Sequence, residues 1–187
     1  LMDCLDHTQL IIPVTTRSLR QYERIEIFQS GYRPEFAIVA NGGIVLKNGK
    51  RDKQWDEIIT ERLQDSLSFE QMYAYFSEDW EHEMFRRIIN ADQLFYVLML
   101  VEEKIDKVWL KELRHRIQKV GWVSYINGRK FYVLPKKLTK QCAVKYVLEQ
   151  LEYDVHFAAG DSIMDLGMLQ LAEIAFNVKE DSNIDPD

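Results

Sequence analysis

Cysteine is scarce: Cys4 and Cys142 are the only two among 187 residues. Two thiols make no disulfide framework and no metal-ligand spacing, which fits a reducing cytosol. Long apolar runs are missing as well. The stretch "LFYVLMLV" (94–101) is far shorter than the eighteen or so residues a membrane-spanning helix needs, and no signal peptide is visible. Positive charge is not in excess: 24 Lys and Arg against 30 Asp and Glu leave a net charge of −6 and a pI near 5.3. That balance gives no electrostatic case for nucleic acid or an anionic membrane. The one basic stretch, "KELRHRIQK" (111–119), spaces its apolar residues helically and reads as a solvated helix face. Internal repeats and low-complexity segments are absent too.

What is present is ordinary globular material, 47% hydrophobic and 29% charged, long enough for one ample domain or two small ones. Four short apolar runs read as buried strands: "QLIIPV" (9–14), "EFAIVA" (35–40), "DVHFAA" (154–159) and "EIAFNV" (173–178). They are continuous rather than alternating, as strands covered on both faces are. Helical patterns at 18–30, 139–152 and 164–172 lie between them, and such alternation predicts an α/β fold with a parallel sheet. The middle differs. "NGGIVLKNGK" (41–50) has hairpin chemistry at both Asn-Gly pairs. Helices are then expected at 55–66, 69–89 and 106–119, with strands at 94–101, 121–126 and 130–135. This predicts an α+β module of small-domain size, residues 47–133, inserted into an α/β core made of 1–46 and 134–187.

In open α/β sheets, ligands bind beyond the carboxyl ends of the strands. Three such ends carry polar residues here: Thr15, Thr16 and Arg17 in "PVTTRS"; Asn41 and Gly42 in "VANGG"; Asp161, Ser162 and Asp165 in "AAGDSIMD". A fourth group, "LTK", opens a helix with Lys140. Each also has a plain structural reading. Ser162 with Asp165 and Ser18 with Gln21 form capping boxes, Thr139 is a natural N-cap, and Asn41-Gly42 is a turn. Two features ask for more. Lys140 stands at the positive end of a helix, where a cation is disfavoured unless it faces an anion. Asp161 follows a glycine at a strand end, and it repels Asp165 four residues on. A hard cation such as Mg²⁺ would relieve that repulsion. Helix N-termini, a lysine and a carboxylate-held Mg²⁺ are the parts of a phosphoryl-transfer site.

In this order, "PVTTRS", "ANGG", "LTK" and "AAGDSIMDLGML" resemble the haloacid dehalogenase-like (HAD) phosphatases, most closely the branch of Cof-type and sucrose-phosphatase-type enzymes. The resemblance implies a Rossmann-like parallel-sheet core with an inserted α+β cap. It also implies Mg²⁺-dependent hydrolysis of a small phosphorylated metabolite, a sugar phosphate above all, through an aspartyl-phosphate. By the same resemblance Thr15 and Lys140 bind the phosphoryl group, Asp161 ligates Mg²⁺, and Asp165 supports the metal and the catalysis. Thr16, Arg17, Asn41 and Gly42 would line the substrate site. Thr16 replaces a usual glycine, and Met164 replaces a usual asparagine.

One motif departs. The family's D-x-D-x-T, with its nucleophilic aspartate, has only an imitation in "DCLDHT". Asp6-His7-Thr8 matches its second half, but Asp3 is one residue too far away and Cys4 holds the nucleophile position. The attacking aspartate is therefore expected upstream of Leu1. Two other readings stay open on the same fold: a non-catalytic binding or regulatory protein, and a phosphomutase. The tryptophans of the middle region, Trp55, Trp80, Trp109 and Trp122, are expected in the core.

Overall fold

In the computed structural model, which describes residues 10–25 and 33–178, the first apolar run lies alongside β1 (Phe36–Val39). The two are parallel through a Val14–Ile38 bridge. The Ile38 N–H donates to the Pro13 carbonyl at 2.8 Å, and the Thr15 N–H donates to the Ile38 carbonyl at 2.9 Å. Pro13 has no N–H to offer, so residues 10–14 make a short parallel contact rather than a full ladder. The residues of the D-x-D-x-T imitation, Asp3 to Thr8, lie outside the described residues.

β1 is buried throughout and turns back antiparallel onto β2 (Ile44–Lys47), which pairs with β3 (Lys50–Arg51). Both expected Asn-Gly turns are here, with Asn41, Gly42, Asn48 and Gly49 all at positive φ. Of the helix expected at 18–30, the described part is one turn, α1 (Leu19–Tyr22), held by the Ser18–Gln21 capping box.

α2 (Lys53–Leu63) then leads into an antiparallel unit. Its sheet has the order β4-β5-β7-β6, formed by β4 (Phe85–Ala91), β5 (Phe95–Leu100), β6 (Trp122–Asn127) and β7 (Lys130–Pro135). Helices α3 (Phe69–Tyr75), α4 (Ser77–Trp80) and α5 (Lys107–Lys119) complete it. Asp106 caps α5, and Leu110, Leu113 and Ile117 form its buried stripe. The basic stretch is thus the outer face of α5. Trp55, Trp80 and Trp122 are buried, while Trp109 is half-buried and stacks on His82 with ring centres 4.0 Å apart.

The helix expected over 69–89 is corrected by the structure. It ends at Trp80, and residues 85–91 form β4. A β-bulge between Phe85 and Arg87 inserts one extra residue, which places Phe85, Ile88 and Ile89 at the i, i+3, i+4 spacing of a helix. The β4–β5 turn contains no glycine; Asp92 and Gln93 both adopt positive φ.

The chain returns with α6 (Lys140–Leu148), β8 (Phe157–Gly160), α7 (Leu166–Leu169) and β9 (Ile174–Asn177). β8 and β9 pair in parallel, as their alternation with helices predicts. They are not covered on both faces as expected: Phe157, Ile174 and Phe176 are exposed. Among the described residues β8 bonds to β9 alone. On its other side an apolar trench, lined by Leu10, Ile12, Val14, Phe157 and Ala159 among others, separates it from residues 10–14.

Candidate active site

A polar pocket lies where residues 10–14 and β8 end. Thr15, Thr16, Lys140, Asp161, Ser162 and Asp165 line it together with Asn127. Six of the nine residues singled out in the sequence therefore converge, from three separate segments of chain.

Lys140 is the first residue of α6, whose N-cap is Thr139. The anion it faces belongs to the protein. Its Nζ donates to Asp165 Oδ1, and both side chains are almost fully enclosed, 7% and 4% exposed. The other carboxylate oxygen, Oδ2, accepts from the Ser162 hydroxyl at 2.8 Å, the Ser162 N–H at 3.0 Å and the Asp161 N–H at 3.2 Å. Burial pushes the Asp165 carboxyl up, but Lys140 and Ser162 outweigh it and hold its pKa below the ordinary value. Asp165 is thus a fixed anion that ties the Asp161–Ser162 loop to the start of α6. Gly160 makes this possible, because a Cβ there would stand 2.5 Å from Asp165 Cβ.

That arrangement narrows the metal reading. The repulsion between Asp161 and Asp165 is relieved by Lys140 and the loop N–H groups, and Asp165 has both oxygens engaged. Asp161 instead presents an exposed carboxylate on the pocket wall. Mg²⁺ keeps several waters and takes one or two carboxylates plus phosphate oxygens. One free carboxylate beside hydroxyl donors suits that ion. Among the described residues, no group of three or more His, Cys, Asp and Glu forms a closed metal cage.

Thr15 is fixed by its backbone, donating to Ile38 and accepting from the Asn41 N–H at 3.0 Å. Its Oγ1 accepts from the Arg17 N–H at 3.1 Å, leaving its own O–H to point elsewhere. Arg17 is exposed and is not on the pocket wall.

Asn41 and Gly42, expected to line the substrate site, are not on the wall either. Asn41 is 3% exposed and its amide donates to the Leu138 carbonyl at 3.0 Å. Gly42 has φ +92, and a Cβ there would meet the Thr139 carbonyl oxygen at 2.4 Å. Its own carbonyl accepts from Trp55 Nε1 at 3.0 Å. The pair therefore clamps the segment that carries Lys140. The Asn41 Oδ1, by contrast, is buried with no hydrogen-bond partner among the described residues.

The sequence reading missed two residues of the antiparallel unit. Asn127 lines the pocket, and Tyr132 is buried on the same face of the β6–β7 hairpin. The signal available for Asn127 was its Asn-Gly hairpin, which says where a turn is but not what it approaches.

With this geometry in hand, a family model described as sucrose-6F-phosphate phosphohydrolase matches residues 4–183. The chain belongs to that family. The fold is that of the HAD superfamily, to which solved relatives also point. The sucrose-phosphatase from Synechocystis sp. PCC6803, in complex with sucrose and phosphate, is 15% identical with a TM-score of 0.65, over 86% of this chain and 66% of that one. A trehalose-6-phosphate phosphatase related protein gives 18% and 0.56, over 90% and 68%. A haloacid dehalogenase-like hydrolase from B. subtilis gives 16% and 0.55, over 89% and 76%. The chain thus spans about two thirds of the length of the first two. No curated protein sequence matches it. Among the described residues, no helix is long and apolar enough to cross a membrane.

Proposed function

We propose that this sucrose-phosphatase family member is a phosphomonoester phosphatase acting on a small phosphorylated sugar, with Mg²⁺ as its cofactor. The observation that carries the reading is the buried Lys140–Asp165 pair, set beside Thr15, Thr16 and Asp161 in one polar pocket.

In this reading Thr15 and Thr16 donate hydroxyl hydrogen bonds to phosphoryl oxygens. Lys140, held by Asp165 but still on the pocket wall, offers its remaining N–H donors to the same oxygens and offsets charge that builds on phosphorus. Asp161 would hold Mg²⁺, with Asp165 orienting its loop; when bound, the ion neutralises phosphoryl charge and fixes the ester's orientation. In the family's mechanism an aspartate carboxylate would attack phosphorus as the P–O bond to the sugar breaks and the sugar leaves as an alcohol, and water would then hydrolyse the aspartyl-phosphate. The antiparallel unit, residues 47–133 in the sequence reading, acts as the cap over the site.

The test is phosphate release by the full-length gene product from an aryl phosphate and a panel of sugar monophosphates, sucrose 6F-phosphate included. Release that requires Mg²⁺ and stops with EDTA supports the reading. Absence of release from every member, at any Mg²⁺ concentration, overturns it.

A further inference from the structure

The β4–β5 turn carries two successive residues in the left-handed region, Asp92 at φ +54 and Gln93 at φ +59, without a glycine. In tight turns Gly, Asn and Asp dominate such positions, and glycine fills them with least strain. Within the turn, Asn90 Oδ1 accepts from the Gln93 N–H at 2.7 Å. Two further contacts reach out of the hairpin. Asp92 Oδ2 accepts from the Leu19 N–H at 2.8 Å, across 73 positions of sequence. Leu94 seats the tip beside Gly43. That glycine has φ −75, open to any residue, yet a Cβ there would stand 2.3 Å from Leu94 Cδ1 and 3.2 Å from Leu138 Cδ1. Its missing side chain is space given over to Leu94.

The chain that Asp92 reaches is the one that bears two pocket hydroxyls. From Thr15 to Leu19 it is held at the near end by the turn after β1. The Asn41 N–H donates to the Thr15 carbonyl at 3.0 Å, and the Ala40 N–H donates to the Arg17 carbonyl at 2.8 Å. At the far end it is held by Asp92. A carboxylate accepting from a backbone N–H makes one of the stronger hydrogen bonds. Asp92 is half-buried and does not line the polar pocket, whereas Thr15 and Thr16 do. Its influence on the site therefore passes through the loop.

Resting on the phosphatase reading, we propose that Asp92 is a positioning residue: it ties the antiparallel unit to the loop that bears Thr15 and Thr16, and so keeps their hydroxyls in place against the phosphoryl oxygens. The tie also accounts for an aspartate in a turn that glycine would suit. Misplacing a group at the reacting centre by about 1 Å can cost about 100-fold in rate. Loosening one end of the loop, with the other still held by β1, should cost less, about tenfold on the same scale.

The experiment compares Asp92→Gly and Asp92→Asn with the wild-type full-length gene product, using a sugar monophosphate and an aryl phosphate well below the thermal midpoint. Asp92→Gly removes the acceptor but suits the positive φ. Its thermal midpoint should stay within about 4 °C of wild type, while kcat/KM falls about tenfold on both substrates. Asp92→Asn keeps an acceptor oxygen and tolerates the same φ, and should return kcat/KM to within about threefold of wild type. Wild-type kcat/KM in Asp92→Gly, a loss confined to one substrate, or Asp92→Asn no better than Asp92→Gly overturns the proposal. If the wild type hydrolyses neither substrate, the phosphatase reading fails on its own, and two other readouts decide this one: amide hydrogen exchange at Leu19 and calorimetric titration with inorganic phosphate. Faster exchange and about tenfold weaker phosphate binding in Asp92→Gly, both reversed in Asp92→Asn, uphold it; either readout unchanged overturns it.

Discussion

Two regions of this molecule put their apolar residues to opposite use. In the antiparallel unit, Phe131 is 0% exposed and packs in an aromatic core with Phe85, Tyr96 and Trp122. In the strand-end unit, Phe157 is 59% exposed on β8, yet the same unit encloses an ammonium and a carboxylate. The first region is finished by its own contacts. The second keeps open polar groups at strand ends and an open apolar trench beside them. A site that must hold charge at a fixed point and stay open to solvent has this character, whereas the antiparallel unit is closed by its own core.

The contrast can be broken most forcefully at the buried pair. Replacing Lys140 by Met leaves Asp165 as a buried anion without its counter-charge, and should cost about 3–5 kcal/mol in stability. Adding Asp165→Asn should recover part of that loss, which chemical denaturation of the single and double variants will read. If the single variant costs nothing, the pair is not held as tightly as its enclosure implies.

The two phenylalanines give the next test. Phe131→Ala should destabilise by about 3–5 kcal/mol, as truncation of a buried aromatic does. In the 187-residue chain, Phe157→Ala should lie within about 0.5 kcal/mol of wild type, as surface substitutions do. Gly42→Ala comes after these. An alanine at φ +92 is strained and its methyl would collide with the Thr139 carbonyl, so a loss above about 2 kcal/mol is expected. Because Thr139 precedes Lys140, activity should fall further than stability alone explains. The smallest effect is a gain. Gln93→Gly relieves a positive φ in the β4–β5 turn and should add about 0.5–1 kcal/mol, raising the thermal midpoint without changing the site.

How much of this was legible in the sequence follows the same division. The strand ends were readable because Thr15, Lys140 and the Asp161–Asp165 loop are local patterns, each pinned by its own cap or turn. Lys140 even announced a counter-anion by standing at a helix N-terminus, although that anion turned out to be Asp165. The failures are non-local. β4 was read as helix because the bulge at Arg86 shifts its apolar residues into helical spacing, and the turn that closes it uses Asp92 and Gln93 where glycine would have been the signal. Asn41 and Gly42 were read as substrate contacts, but their packing against Leu138 and Thr139 depends on residues about a hundred positions away. Asn127 could not be read at all, since nothing in "YINGRKFY" reveals that this hairpin reaches the polar pocket.

In the proposed site Asp161 is the carboxylate that would hold the metal, while Asp165 is committed to Lys140. The most direct test of this assignment is phosphate release by the full-length gene product with saturating Mg²⁺, wild type against Asp161→Ala. The expected result is a fall in kcat of at least about 100-fold, the scale of losing a group that stabilises developing charge, with the thermal midpoint unchanged. Activity within a few-fold of wild type would contradict it.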